Sequence, residues 1–565
     1  MAAEVNRNVR KIVVVGGVAA GASAATKARR TDEDAEIVVF ERGPYVSFAN
    51  CGLPYYVGGD IPRVGDLLLM TPERFAQRFR IRVEVNHEVT RIDRTGRRVE
   101  VLDRRTGETR WEAYDRLVLA PGGRPILPPI PGIDLPGVFA LTTVPDAENV
   151  RQWVRQRGIR QAVVVGAGFI GLEAVEALLK LGLEVHLVEK LPQVLPQLDP
   201  EMAAPLADHL RRQGARLHLG AEVVRFGGEG RLSGVELATG EQVPAQLAIV
   251  AIGVRPELTL ARDAGLAIGP AGGVAVDEGM RTSDPDVFAC GDVAEVPNRV
   301  TGQKVRLPLA GPANKEGRIA GANAAGANLR FPGVVGTSIV KVCDLSAGKT
   351  GLSEREARLA GFDPLVSYTH PLDHAGYYPG AKRMTIKLVV DRANGKLLGA
   401  QIVGPEGVDK RTDVLATAIY AGLTVEDLEG LDLAYAPPYS SAKDPAIMAG
   451  LVAANEWRGE LKVVTPAEVA RRLDGGERFR LLDVRTRQEY AAGHIPGAQL
   501  VPLDELRQSL DEIRRDGPIV VYCGVGYRSY HACKILAHHG HDVSNLSGGF
   551  TSWEQAYPNR IEPAN

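Results

Sequence analysis

Two stretches of this chain share one plan: a strand, a glycine-rich turn, a helix, and a second strand that ends on a glutamate. Residues 11–41 read KIVVV, then GGVAAG and a helix, then EIVVF ending in Glu41. Residues 161–189 read AVVVGAGFIG, an apolar-periodic helix through about Gly182, and EVHLVE ending in Glu189. Strand, glycine turn and helix in that order predict a doubly wound α/β fold built on a parallel sheet. A glycine turn that opens a helix aims backbone amides and the helix N-terminus at a phosphate. Two such units in one chain predict two nucleotide cofactors held face to face, as hydride transfer requires.

The turns differ in detail. GAGFIG supplies Gly166, Gly168 and Gly171 in the full G-x-G-x-x-G spacing. The first glycine allows the turn, the second admits the pyrophosphate, and the third lets helix pack on strand. Glu189 stands 18 residues after Gly171, placed to accept from a ribose 2′-hydroxyl and to repel a 2′-phosphate. NADH is therefore expected over NADPH, with Lys190 beside it moderating the preference. In the first turn Gly16 and Gly21 are in place, and Val18 stands where the middle glycine would be. Glu41, with Arg42 next to it, closes that unit. The stretch TSDPDVFACGD at 282–292 resembles the flavin-contacting segment of two-dinucleotide flavoproteins, in which the aspartate, here Asp292, binds the ribityl chain. The first unit is accordingly assigned FAD and the second NADH.

At 565 residues the chain is too long for one core, and three or four domains are expected. Its 67 basic and 69 acidic residues nearly cancel, which argues against a nucleic-acid partner. Arg7, Arg10 and Lys11 followed by IVVVGGVAAGASAA imitate a signal peptide, but read better as strand, turn and helix. The longest early uncharged run is shorter than a membrane span. The five cysteines form no paired framework, so a reducing cytoplasm fits best.

Cys51, in SFANCGLPYY, has no second cysteine within a few residues, so an internal dithiol pair is absent. A single thiol there must cycle through a sulfenate, a mixed disulfide or a persulfide. Cys523 begins CGVGYRS between strand IVVY and a helix. Loop amides and the helix N-terminus are expected around its sulfur, with Arg528 adding positive charge, and so to favour thiolate or persulfide. Cys290, Cys343 on an expected strand, and Cys533 on a helix face read as packing residues.

SFANCGLPYY, the paired turns, TSDPDVFACGD, YYPG and LAYAPPYSSAKD occur in order over residues 10–455, which closely resemble the coenzyme A-disulfide reductase family. LLDVRTRQEYAAGHIPGAQLVPL and the CGVGYR loop resemble a rhodanese domain. The resemblance implies an FAD-binding domain over 1–155 with a return segment at 281–330. It further implies an NAD(P)-binding domain over 156–280, an α+β dimerisation domain over 331–455 and a rhodanese domain over 461–560. Carried onto this sequence, it makes Cys51 the redox-active thiol, with Ser47 and Asn50 lining its pocket. It places coenzyme A on Ser23, Lys27 and Arg30 of the first helix and on Lys443. It also places the hydroxyls of Tyr377 and Tyr435 across a homodimer interface, with Tyr378 adjacent to the first. Asn314 departs from the family, some of whose members have a substrate-touching histidine there. Asp483 and Arg485 look structural.

The implied function is NADH-driven, FAD-dependent reduction of coenzyme A persulfide, polysulfide or disulfide at Cys51, with Cys523 accepting sulfane sulfur. The partners are then small thiol, persulfide and disulfide molecules, with neither membrane nor nucleic acid. One alternative is an NADH oxidase or peroxidase cycling through a sulfenate, which shares the SFxxCG region. Peroxidases of that group carry a histidine in the first turn, and GGVAAGAS has none. The other is a sulfur relay or redox sensor; two complete cofactor sites favour an enzyme.

Overall fold

The computed structural model describes residues 9–156 and 158–563. Arg7 lies outside the described residues. The chain divides into two compact units, residues 1–190 with 214–334, and residues 191–213 with 335–565.

The first unit holds two five-stranded parallel sheets. In one, Lys11–Val15 lies between Glu36–Glu41 and Arg116–Leu119, with Ile81–Val85 and Val287–Ala289 at the edges. The return segment therefore adds an edge strand to the first sheet, and that strand stops at Ala289, short of Gly291 and Asp292. In the other, Gln161–Val165 lies between Glu184–Glu189 and Leu247–Val250, flanked by Arg216–Leu219 and Val138–Phe139. Val13, Val14, Val163 and Val164 are completely buried, as continuous apolar strands covered on both faces must be.

The helix Ala19–Thr31 packs against Ala310–Ala324 through small residues. A Cβ at Gly317 would lie 2.2 Å from the Ala20 carbonyl oxygen, and one at Gly321 would lie 2.0 Å from that of Ala24. Only glycine permits this approach, which brings Ser23 and Asn314 into contact.

In the second unit an antiparallel sheet runs Ser338–Val342, Leu345–Gly351, Leu397–Gly404, Thr385–Asp391, Pro364–Thr369. Cys343 is not on a strand. It is the first residue of the two-residue turn joining the first two strands, at φ 56°, because a tight hairpin needs left-handed backbone there. A second, parallel sheet runs Val463–Val464, Val543–Leu546, Ile519–Tyr522, Arg480–Asp483, Gln499–Leu500. The helix Pro200–Arg212 belongs to this unit although its sequence neighbours belong to the first. Its anchor is Lys387, 1% exposed, whose ammonium lies 2.8 Å from Asp199, 2.5 Å from Glu201 and 3.0 Å from Glu354. Among the described residues these three carboxylates are the one group with metal-ligand spacing, and the lysine sits among them. No described helix is long and apolar enough to cross a membrane.

Candidate functional site

The two glycine turns of the first unit repeat each other. A Cβ at Gly21 would lie 1.8 Å from the Gly16 oxygen, and one at Gly171 would lie 1.9 Å from the Gly166 oxygen. Gly16 and Gly166 take φ of 91° and 102° against the carbonyls of Ala120 and Ala251. Glu41 accepts from the amides of Gly17 and Gly43, both at 2.8 Å, and Glu189 accepts from Ala167 at 2.7 Å. Each terminal glutamate thus braces its own turn. Arg42 lies 3.9 Å from Glu257, which also pairs with Arg124.

Cys51 occupies the 3₁₀ turn Asn50–Gly52, at the head of the helix Leu53–Gly58. That helix packs on Phe169–Lys180, the helix opened by the second glycine turn, with Tyr55 donating to Glu173 at 3.2 Å and Lys180 pairing with Asp60 at 2.9 Å. The cysteine is exposed, and its Sγ lies 3.9 Å from Asn50 Oδ1. The protein packed beneath the sulfur, together with Glu173 and Asp292, pushes the thiol up from its ordinary range. Burial raises Glu173 to about 7 and raises Asp292 as well. The Gly291 amide, next to Asp292, donates to the buried carboxylate of Glu316 at 2.7 Å. Ser47, at φ 48°, donates its amide to the Gly17 oxygen and so ties the cysteine segment to the first turn.

A groove between the two small-residue helices is lined by Ser23, Thr26, Arg30, Asn314, Lys315 and Arg318. Ser23 donates to Asn314 Oδ1 at 2.6 Å. Lys27 is half-buried on the same helix and is not one of the lining residues. Arg29 turns inward onto the carbonyls of Phe79, Arg80, Asp32 and Glu33.

In the second unit the Tyr377 and Tyr435 hydroxyls are 2.9 Å apart, and both side chains are well exposed. Tyr378 instead meets the His374 ring edge-on. Lys443 is exposed next to Asp444, whose buried ion pair with Arg411 at 2.9 Å holds that loop. Cys523 follows Ile519–Tyr522 and is 1% exposed. Its Sγ receives the Gly526 amide at 3.2 Å and the Ser529 hydroxyl at 3.5 Å. Arg528 bears on Cys523, and both its terminal nitrogens also donate to Glu489, at 2.8 and 2.6 Å. Asp483 and Arg485 form a buried ion pair at 2.7 Å. Cys290 and Cys533 are completely buried.

The pyridine nucleotide-disulphide oxidoreductase profile matches residues 10–317, its dimerisation domain 337–447, and the rhodanese-like domain 465–556. The chain belongs to the pyridine nucleotide-disulphide oxidoreductases. An NAD(P)H sulfur oxidoreductase (CoA-dependent) of Pyrococcus abyssi is 38% identical over 78% of this chain and 97% of its own. The reduced Bacillus anthracis CoADR-RHD structure superposes with a TM-score of 0.95 at 43% identity, covering 98% of this chain and 99% of that one. An NAD-dependent persulfide reductase from A. fulgidus does so at 0.90 and 41%, covering 96% and 100%.

As an oxidoreductase of this family with a rhodanese-like tail, the chain carries FAD- and NAD(P)H-binding domains. Their turns fit these groups: the glycine cradles have no room for side chains at Gly16 and Gly21, while nothing lies within 4 Å of a Cβ at Gly168, leaving that approach open. Sequence reasoning missed Glu173, Glu316, Lys315, Arg318, Ser529 and Glu489. A carboxylate interrupting the apolar helix FIGLEAVEALL was the available signal for Glu173.

Proposed function

We propose that this oxidoreductase uses NADH to reduce persulfide, polysulfide or disulfide forms of coenzyme A at Cys51, while Cys523 of the rhodanese-like domain collects sulfane sulfur. The observation that carries the reading is the setting of Cys51. It is one exposed thiol on a turn whose helix packs on the second dinucleotide fold, and Asp292 of the flavin segment bears on its sulfur. FAD, when bound, supplies the two electrons of NADH to the sulfur of a mixed disulfide at Cys51. The chain supplies the rest. The Cys51 thiolate attacks a substrate S–S bond, forming Cys51–S–S–R and releasing the other sulfur as a thiolate or, from a persulfide, as hydrosulfide. Glu173 accepts from Tyr55 through Oε1, and its carboxyl, raised to about 7, takes up and gives off a proton around neutral pH.

Coenzyme A is expected in the groove of Ser23, Thr26, Arg30, Lys315 and Arg318, whose cations suit its phosphates. Lys27 and Lys443 are proposed as further contacts, and Ser47 and Asn50 as the pocket around the thiol. In the proposed homodimer, the Tyr377–Tyr435 hydroxyl pair of one subunit protonates the thiolate leaving Cys51 of the other. NADH is favoured over NADPH because Glu189 closes the second fold and Lys190 is turned to Glu222 at 2.9 Å.

The test measures NADH oxidation and sulfide release with coenzyme A persulfide, coenzyme A disulfide and oxygen as separate acceptors. Turnover with the coenzyme A species, lost in Cys51→Ser with FAD retained, is expected. Equal turnover on oxygen alone would make the chain an NADH oxidase.

A further inference from the structure

Between the strand Val543–Leu546 and the helix Gly549–Ala556 the chain reads Ser-Gly-Gly-Phe, and Gly548 and Gly549 are both left-handed, at φ 66° and 62°. One side of this turn holds the Cys523 loop. The Phe550 and Thr551 amides donate to the carbonyls of Cys523 and Gly524 at 2.7 and 3.0 Å. Gly549 lies so close that a Cβ would come within 2.4 Å of the Cys523 oxygen.

The other side of the turn is held by the antiparallel sheet of the dimerisation domain, which lies in the same unit. Ser547 Oγ accepts from the Tyr368 amide at 3.0 Å. Ser552 Oγ lies 2.8 Å from His370 Nε2, and His370 Nδ1 lies 3.0 Å from Thr385 Oγ1. Gln555 donates to the same threonine at 3.2 Å. Burial, with Arg383 nearby, lowers His370 to about 3, so its ring is neutral at working pH. A neutral imidazole has one donor and one acceptor, and the two hydroxyls take one each.

We propose that His370 is a positioning residue for Cys523: through Ser552 the dimerisation domain fixes the turn that shapes the sulfur-accepting loop. The proposal rests on the reading of Cys523 as sulfane-sulfur acceptor. His370 never touches the sulfur. It removes freedom from the turn, so the Gly526 amide and Ser529 hydroxyl converge on one sulfur position.

The test uses the full-length, FAD-loaded protein with Ser552→Ala, His370→Ala and His370→Gln. Cys523 alkylation by iodoacetamide is followed by peptide mass, and sulfur transfer to cyanide is assayed from thiosulfate and from inorganic polysulfide. Ser552→Ala is expected to speed Cys523 alkylation and lower the sulfur-transfer kcat, each about tenfold, the equivalent of one buried hydrogen bond. KM and NADH-driven reduction at Cys51 stay at wild-type values in that variant. His370→Gln, whose amide reaches Ser552, restores most of the transfer rate, and His370→Ala does not. Wild-type alkylation of Cys523 in both alanine variants overturns the proposal, as does an equal loss at both thiols, which marks a general loss of fold. Should the wild type carry no sulfur on Cys523, the acceptor reading fails, while the alkylation contrast still decides the role of His370.

Discussion

Cys51 and Cys523 are both lone thiols on turns that lead into helices, yet their surroundings are opposite. Cys51 is exposed, and burial with two carboxylates pushes it up against the smaller opposing effect of its own backbone amide. Cys523 is buried, with the Gly526 amide and Ser529 hydroxyl aimed at its sulfur. The difference suits the two roles proposed for these thiols. Exchange with a bulky thiol substrate needs an open sulfur, whereas holding a single sulfane sulfur needs a caged one that water and other thiols do not reach.

The strongest way to break the comparison is to remove each sulfur in turn. Cys51→Ser should lower NADH-dependent coenzyme A disulfide reduction by more than ~1000-fold, as loss of a nucleophile does, while transfer from thiosulfate to cyanide persists. Cys523→Ser should do the reverse. If either substitution abolishes both reactions, the two thiols form one site. Next in size is a test of stability. Lys387→Met removes the buried cation shared by Asp199, Glu201 and Glu354 in the second unit, of which only Glu354 keeps an arginine, Arg358, and about 3–5 kcal/mol should be lost in denaturant unfolding. Cys523 alkylation then rises as the second unit opens; an unchanged unfolding midpoint would show that the cluster tolerates loss of its cation.

How much of this was legible in the sequence follows from how local each feature is. The two glycine turns, their strands and their glutamates are set by spacing within about thirty residues, and they fold as read. The two cysteines were singled out by their immediate neighbours. The charge around them was not. Arg528 reads as positive charge beside Cys523, but the carboxylate that balances it, Glu489, lies 39 residues earlier. Glu173 comes under Cys51 only because one helix packs on another across 118 residues of sequence. Tyr377 and Tyr378 are indistinguishable as letters; only the fold turns one toward Tyr435 and the other toward His374. Pro200–Arg212 leaves its sequence neighbours because Lys387, far along the chain, gathers the acids near its start.

Smaller effects sharpen the contrast between the two electrostatic settings. Glu489 is lowered to about 2 by its hydrogen bonds from Arg528. Its charge is therefore complete above its ordinary carboxylate range and lost only as pH falls toward 2, so this pair should leave the thiosulfate KM flat across neutral pH. Glu489→Gln removes the balancing charge, and KM for dianionic thiosulfate should fall about fivefold as the Arg528 guanidinium is freed. An unchanged KM would mean that thiosulfate does not meet Arg528.

Glu173→Gln is the finest probe. Burial raises this carboxyl to about 7, so it is protonated in mild acid and ionised in mild base. Only the ionised form opposes a thiolate at Cys51. Cys51 should therefore alkylate at the same rate in variant and wild type below about pH 6, and about threefold faster in the variant above about pH 8, where the repelling charge is gone. Stability carries the same sign. A carboxyl raised in the fold contributes stability that is present in acid and lost as pH rises through 7, so the glutamine variant should gain on the wild type in base and not in acid. Cys523, alkylated in the same tube, is the control: a matching change there would mean that the substitution acts on the whole fold rather than on the charge beneath Cys51.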